Sequence, residues 1–385
     1  MKKRMKCWSI FVFGFLILIH PFCFASSQEE ILSSQQQSLN ISQFITEAKE
    51  YTKTVFPDMD MNELLNSAIK GKVDNKGIFQ NILNLLGKEV KDAVTVLGSI
   101  LIIIIIHSIL KTISDNLENK GVGQITYYVQ YILIVTIIMT NFADIITMTK
   151  DSIQNLVGFM YTLVPLVMTL MITTGSIATA GLLQPIILFL ITFIGNIIST
   201  LIIPILLVAT ALGIVSQISD KIQIDKLAKF FKSSIVWILG IILTIFVGVS
   251  SLEGTLSSSV DGVTAKTTKV AVSNFIPVVG KILGDAVETV LGCAGILKNA
   301  VGVVGVIIII GICIVPIIKL SVLTMLYYLA AAICQPIADT KIMKLLEQMG
   351  DTFKILLAIL CSVAVMLMIG VTIAIKMSNS GMMYR

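Results

Sequence analysis

The fold of this chain is decided by Ser152–Ser219, which reads SIQNLVGFMYTLVPLVMTLMITTGSIATAGLLQPIILFLITFIGNIISTLIIPILLVATALGIVSQIS. This run of 68 residues contains no Asp, Glu, Lys or Arg. A membrane-spanning helix needs about 20 apolar residues, and a charge at its centre costs a few kcal/mol, so charge-free runs mark the spans. The run predicts three crossings, with turns near Thr173–Gln184 and near Pro204.

The composition of the whole chain agrees with a polytopic membrane protein. Of its 385 residues, 56% are hydrophobic and 13% are charged, and the mean hydropathy is +0.93. A soluble chain cannot hide this much apolar surface from water. The net charge of +5 comes from dispersed lysines, which suits cytoplasmic loops and does not indicate nucleic-acid binding. The numbers argue against a soluble enzyme, a disordered protein and a disulfide-stapled secreted domain.

Charge-free runs elsewhere in the sequence predict six more spans. They are residues 93–110, 121–143, 233–252, 299–318, 320–338 and 355–375. The sequence therefore predicts an all-α protein with about nine transmembrane helices, six in a first membrane region (93–252) and the rest in a second (299–376), before a tail (377–385). If 320–338 is re-entrant, the count is eight and loop 339–354 lies inside. Loop 220–232 has a net positive charge, which predicts a cytoplasmic position.

Two segments, 203–249 and 315–371, resemble each other and suggest an internal repeat. In each, an apolar residue and a proline are followed by an apolar stretch, a Gln/Asp/Lys linker and a last apolar stretch ending in Gly-Val. Three spans per copy give the copies opposite orientations in a nine-span chain, as in many transporters. A chance match between apolar sequences is the alternative. Several helices are expected to be broken by proline. These prolines are Pro165, Pro185, Pro204, Pro316 and Pro336.

The N-terminus has the three parts of a secretory signal peptide. Residues 1–25 contain a basic start, an apolar stretch from Trp8 to Ile19, and small residues before a cleavage site after Ala25. An uncleaved signal anchor is the alternative, and either places residues 26–92 outside the cytoplasm. Within this exported segment, Ile78, Ile82, Leu85 and Leu86 recur at helical spacing, which predicts an amphipathic helix. Such a helix lies on the membrane, packs on the membrane domain or binds a partner.

The residue inventory does not supply the groups of common membrane enzymes. His107 is the only histidine after the signal, so neither a His-based metal site nor a Ser/His arrangement is expected. Gly280-Lys281 lacks the glycine-rich context and the following Ser or Thr of a P-loop. We therefore expect no enzyme activity and no cofactor, and energy for any transport must come from a partner or a gradient.

Residues 253–298 are too polar for a plain span and too apolar for an ordinary loop. An apolar break around Pro277 is followed by a face of Ile282, Val287, Val290 and Leu291. Such a segment either dips into the membrane over a pore mouth or lies at the interface as an amphipathic helix. Its charged residues and the proline are candidates for pathway lining, gating or docking. They are Glu253, Asp261, Pro277, Lys281, Asp285 and Glu288.

This segment resembles the stage III sporulation protein AE family of endospore-forming bacteria. The resemblance rests on Ser251–Gly254, Asp261-Gly262, Thr264–Lys269, the Asn274–Gly280 stretch NFIPVVG, and Asp285–Gly292. The order of signal, exported segment, clustered spans and this loop agrees as well. The resemblance carries no catalytic residues to this chain.

The resemblance implies a permease-like subunit of a channel or secretion complex between mother cell and forespore, needed for late forespore development. The chain would sit in the mother-cell membrane facing the forespore, contacting lipid. Its implied partners are other membrane proteins of the sporulation operon, including ring-forming subunits and a secretion-type ATPase, with self-association as a further expectation. The alternatives are a non-conducting scaffold of the same complex and a stand-alone secondary transporter.

Overall fold

The computed structural model describes residues 32–36, 41–53, 60–72, 75–115, 120–218, 224–275 and 280–383. Within these ranges the structure does not describe the side chains of residues 75–79, 81, 107, 110–124, 126, 251–288 and 377–383. The predicted signal peptide at 1–25 also lies outside the described residues. The elements of the described ranges are helices. We number them α1 (Ile41–Thr52), α2 (Met61–Ile69), α3 (Asn75–Asp115), α4 (Lys120–Thr173), α5 (Ile177–Ile197), α6 (Ile203–Ser216), α7 (Asp225–Phe275), α8 (Gly280–Cys334) and α9 (Thr340–Met383).

The helices of the membrane region are much longer than a bilayer is thick. Helix α4 has 54 residues and α8 has 55, which corresponds to about 80 Å each, against about 30 Å for the hydrocarbon core. Five helical stretches in the described part of the chain are long and apolar enough to cross a membrane. They are Tyr127–Thr173, Ile177–Ser216, Asp225–Ser250, Thr289–Cys334 and Thr340–Lys376. The predicted all-helical membrane protein is confirmed, whereas the predicted count of nine is not.

Helices pass through several of the charged stretches between the charge-free runs, so these runs do not correspond one to one with helices. The predicted loop 144–151 is helical and joins two predicted spans into α4, since it contains neither Gly nor Pro. Lys319 lies inside α8, so the predicted spans 299–318 and 320–338 are one helix to Cys334. The predicted span 93–110 lies within α3, whose side chains are only partly described, and 355–375 lies within α9.

Of the two turns predicted inside Ser152–Ser219, one is confirmed. The chain turns between α4 and α5 at residues 174–176, where Gly175 adopts a φ of 90° that glycine tolerates best. The turn near Pro204 is wrong, because a π-helical segment, Ile198–Ile202, leads directly from α5 into α6.

Proline does not break the helices at most of the expected positions. Pro165, Pro185 and Pro316 lie inside α4, α5 and α8. Pro204 occupies the first turn of α6, where its missing N–H is tolerated. Pro336 alone lies in a connection, the short one between α8 and α9. Four of the five prolines therefore sit within helical runs, where packing against neighbouring helices maintains the fold.

The connections α6–α7 and α8–α9 lie at the same end of the helix bundle. The Gln348 side-chain amide, near the start of α9, donates to Asp225 Oδ1 at the start of α7 at 3.1 Å. The Tyr127 hydroxyl donates to the Gln217 carbonyl oxygen at 3.0 Å, and Lys341 Nζ lies 5.6 Å from the centroid of the same tyrosine ring. We refer to this end as the connection end.

This arrangement corrects the predicted inverted repeat. The pairs α6–α7 and α8–α9 are both helix–connection–helix units, but with their connections at one end they point in the same direction. The nine-span topology placed loops 220–232 and 339–354 on opposite sides, which this arrangement contradicts. The sequence similarity is therefore between two hairpins of equal orientation.

The interior at the level of α9 is filled by aromatic and aliphatic side chains. The ring of Phe353 in α9 lies 5.2 Å from that of Tyr327 in α8 and 6.2 Å from that of Phe142 in α4, measured between centroids. All three are at most 1% exposed. They join three of the long helices through one cluster.

The amphipathic helix predicted around Ile82–Leu86 is the first part of α3 and continues without a break toward residue 115. Its apolar face is only partly covered, since Leu83 and Leu86 are 51% and 44% exposed. Helix α3 nevertheless packs against α4 and α8, as the preceding helix α1 does, and α2 packs against α8.

Candidate functional site: a polar stripe on two apolar helices

A row of polar side chains runs along the outer face of α4. Thr140, Asp144, Thr147, Asp151 and Gln154 are all exposed. At about 100° per residue they lie within about 40° on either side of one direction, so they form a single stripe. Toward the connection end the same face becomes apolar, at Val129 and Leu133. We call this set, together with the α5 residues described below, the polar stripe.

The stripe faces outward because the opposite face of α4 is the one that packs into the bundle. Phe142, Ile145, Ile153 and Leu156 are at most 3% exposed. Thr149, also on this side, is buried with its hydroxyl donating to the Ile145 carbonyl oxygen at 2.8 Å. The buried face thus needs no polar partner from another helix here, and the helix has no freedom to turn its carboxylates inward.

The stripe continues onto α5 and borders a cavity between the two helices. The hydroxyls of Tyr161 and Thr192 lie 2.5 Å apart, which links α4 to α5. Beside them is a cavity of about 430 Å³ that reaches Gln154, Asn196 and Ser199. The walls combine these hydroxyl and amide groups with the apolar side chains of Ile153 and Val157, so the cavity places polar groups beside an apolar surface.

Two local features border this cavity. Gly195 faces Val157, and a Cβ there would lie 2.8 Å from a methyl carbon of that valine, so only glycine permits the close approach of the helices. Ser199 belongs to the π-helical segment, whose wider turn leaves backbone groups less regularly paired. Such single π-turns in apolar helices occur frequently at functional sites.

Beyond Tyr161, helix α1 covers the neighbouring face of α4. Phe159 is fully buried, with its ring centroid 6.0 Å from that of Phe44 and 5.8 Å from that of Tyr51. The Thr162 hydroxyl donates to the Glu47 carboxylate. Burial, with two glutamates nearby, raises the pKa of Tyr51, so its phenol stays protonated at neutral pH.

The outer face of α1 is polar, which indicates that the part of α4 packed against α1 lies near water. Ser42, Gln43, Thr46, Lys49 and Glu50 are exposed. Charged side chains on a lipid-facing surface are costly, so α1 borders water. The polar stripe therefore leads from the apolar part of α4 toward an aqueous surface.

The carboxylates of the stripe do not suit contact with hydrocarbon. An aspartate at the centre of a lipid-facing helix costs about 2.5–3.5 kcal/mol, and α4 carries Asp144 and Asp151 on the same exposed face. Aspartates in membrane helices face a water-filled space or a polar partner. The stripe thus supplies a surface for water, polar solutes or another polar protein surface.

Two lysines, Lys232, which is half-buried, and Lys298, which is fully buried, tie neighbouring helices together. Lys232 Nζ in α7 donates to the Gln348 carbonyl oxygen in α9 at 2.8 Å. Lys298 in α8, which is 0% exposed, donates from Nζ to the Ile375 carbonyl oxygen in α9 at 3.0 Å. A side chain at Gly302 would overlap Ile375, so α8 and α9 are closely packed there.

The six residues singled out from the sequence lie outside the described side chains. The backbone places Glu253 and Asp261 in α7 and places Lys281, Asp285 and Glu288 in α8. Pro277 falls in 276–279, which the structure does not describe. Their proposed pathway, gating or docking role stays a prediction.

Sequence reasoning missed the polar stripe, although its signal was present. The spacing of Thr140, Asp144, Thr147, Asp151 and Gln154 is that of one helical face. Treating 144–151 as a loop hid this pattern. Among the described side chains, no group of three or more His, Cys, Asp and Glu is placed to hold a metal ion.

Comparison with known proteins places these features in a family. The family model for stage III sporulation protein AE matches residues 59–378, which includes the whole polar stripe. The chain belongs to the stage III sporulation protein AE family. It is 31% identical over 289 residues to the stage III sporulation protein AE of Bacillus subtilis (strain 168), a match that covers 75% of this chain and 72% of that protein. Among solved structures, none matches the chain.

Family membership confirms the resemblance found in the sequence and defines the class of protein. Together with the five apolar helices, it identifies a sporulation-family membrane protein. The match begins at residue 59, just before α2, so it covers every described helix of the bundle from α2 to α9 except the last residues of α9. Helix α1, which covers the end of the stripe, precedes it.

Proposed function

We propose that this chain is the permease-like membrane subunit of a sporulation complex that connects mother cell and forespore. In this role it provides the bilayer pathway and catalyses no reaction. Ring-forming subunits and a secretion-type ATPase of the same operon supply the ring and the energy. The chain sits in the mother-cell membrane facing the forespore, with residues 26–92 outside the cytoplasm.

The polar stripe is the observation that carries this proposal. A pathway through a bilayer needs polar groups at membrane depth, and these are tolerated only beside water or protein. The exposed carboxylates of α4 and the side chains of Gln154 and Asn196 at the cavity supply polar groups on one stretch of an otherwise apolar pair of helices. In the assembled complex the stripe faces a shared aqueous path, formed with neighbouring copies of this chain, and the apolar surfaces face lipid.

The pathway is tested by making the cavity apolar. We expect the double variant Gln154→Leu/Asn196→Leu to accumulate normally but to reduce heat-resistant spores to the level of a strain lacking the gene. The matched control is Thr372→Leu, an exposed threonine on α9 whose hydroxyl donates to the Met368 carbonyl oxygen. Normal spore counts from the double variant, with a normal amount of protein, would refute the assignment of the stripe as the pathway.

A second candidate function is a non-conducting scaffold of the same complex, which the polar outer face of α1 favours. This face, with Lys49 and Glu50, is available for docking of ring-forming subunits. Flux of a small dye through purified protein in liposomes separates the two functions. A conducting subunit gives flux that Gln154→Leu/Asn196→Leu abolishes, whereas a scaffold gives none. The stand-alone transporter loses its main support, because the two hairpins are not inverted.

A further inference from the structure

One face of α7 begins with lysines and continues as an exposed aromatic and apolar surface. Lys226 and Lys229 are exposed in the first two turns. Phe230 and Trp237 follow, 64% and 73% exposed. At about 100° per residue these four residues lie within about 60° on either side of Lys226, so they share one side of the helix.

The same face carries an apolar groove one turn beyond Trp237. The groove has a volume of about 420 Å³ and is lined by Val236, Gly240, Ile241 and Ile245, together with Thr244 and the indole of Trp237. Nothing lies within 4 Å of a Cβ placed on Gly240, so the missing side chain leaves the groove open.

The polar group of the groove is satisfied within the helix. The Thr244 hydroxyl donates to the Gly240 carbonyl oxygen at 2.8 Å, so it presents its methyl group outward. The Ser234 hydroxyl, on the neighbouring side of the helix, donates to the Phe230 carbonyl oxygen at 2.9 Å. The described lining of the groove therefore offers mainly hydrocarbon contacts, and its remaining polar group is the indole N–H of Trp237.

We propose that this face of α7 binds one anionic phospholipid, with its phosphate at Lys226 and Lys229 and an acyl chain in the groove at Gly240. Charge complementarity selects the occupant, because two ammonium groups precede a largely apolar groove. Lys229 forms an ion pair with Asp225, Nζ to Oδ2 at 2.7 Å, which leaves Lys226 as the stronger phosphate contact.

The dimensions agree with a lipid in the leaflet at the connection end. Lys229 precedes Trp237 by eight residues, which is about 12 Å along the helix axis. The headgroup layer of a bilayer is about 5–8 Å thick, and lysine side chains extend along a helix to reach it. Exposed Trp is typical of the boundary between headgroups and hydrocarbon, which is where the indole would lie.

Trp237 is a built-in probe for this lipid. The chain has two tryptophans, Trp8 and Trp237, so Trp8→Phe makes the indole fluorescence specific for the site. The full chain is reconstituted in phosphatidylcholine vesicles that contain a small fraction of phosphatidylglycerol, with bromine on the acyl chains of one lipid or the other. Bromine quenches only those indoles that it contacts.

We expect quenching by brominated phosphatidylglycerol to exceed its mole fraction by about five-fold for one effective lysine contact. Lys226→Gln should remove more of this enrichment than Lys229→Gln, and the double variant should bring quenching to the mole-fraction value. The matched control is Lys88→Gln/Lys91→Gln, which removes the same charge from exposed positions on α3 and should keep the enrichment.

Three results would overturn the proposal. One is wild-type quenching at the mole-fraction value, which means non-selective lipid contact. Another is an enrichment that survives Lys226→Gln/Lys229→Gln. The third is an enrichment lost equally in the α3 control, which means a general effect of net charge.

Discussion

The exposure of the polar stripe to water can be tested by the reactivity of single cysteines along one face of α4. In a background with all six native cysteines replaced by alanine, we consider Thr140→Cys, Thr147→Cys and Gln154→Cys in the stripe. Val129→Cys and Leu133→Cys lie on the same face nearer the connection end, where it is apolar. All five positions are exposed, so shielding within the chain cannot separate the two groups.

The expected contrast follows from the cost of bringing a charge into hydrocarbon. A charged thiol reagent beside a lipid-facing residue loses about 2.5–3.5 kcal/mol relative to water. At about 1.4 kcal/mol per factor of ten, its local concentration there is about 60- to 300-fold lower. If the stripe borders an aqueous path, the three stripe cysteines should react faster than the two apolar-face cysteines by about that factor.

The assay is the rate of labelling by a charged, membrane-impermeant methanethiosulfonate in membranes isolated from sporulating cells, followed by quantification of unmodified thiol. Labelling of the denatured protein controls for the presence of each cysteine. Equal slow rates at all five positions would mean that the stripe faces lipid or a tight protein contact, and the pathway argument would fail. Equal fast rates would mean that the whole face is aqueous, and the assignment of its apolar part to lipid would be wrong.

Three further predictions concern packing. Phe353→Ala removes two ring contacts from the buried cluster and should lower the free energy of unfolding by about 1–3 kcal/mol in mixed detergent micelles. The control is Phe189→Ala, because Phe189 is 64% exposed and its loss should lower the free energy of unfolding less. An equal loss in both variants would contradict the role of the cluster. Phe159→Ala should release α1 and expose it to trypsin, measured by the rate of proteolysis; an unchanged rate would show that this ring does not hold α1. Gly305→Leu should cost about 1–3 kcal/mol, because its Cβ would lie 2.7 Å from a methyl of Leu163, and a stability equal to wild type in the same unfolding assay would contradict that close approach.

The sequence predicted the class of the protein because composition and charge-free runs reflect the solvent in which a chain is stable. An all-helical membrane protein, its family and the turn at Gly175 are examples. The division of the chain into helices was not predictable by the same rule. A charged residue ends a span only if the helix ends there, and Asp144, Asp151 and Lys319 lie in helices that continue.

The sequence by itself determined that most of this chain is helical and apolar, since both properties depend on local residue type. Tertiary structure decided which faces of those helices are used. The direction of the two hairpins is defined by contacts such as Gln348 to Asp225, which join residues far apart in the chain. The polar stripe is exposed only because the opposite face of α4 is buried against neighbouring helices. The spacing of residues along α4 shows which of them share a face, but it does not show which face will be buried.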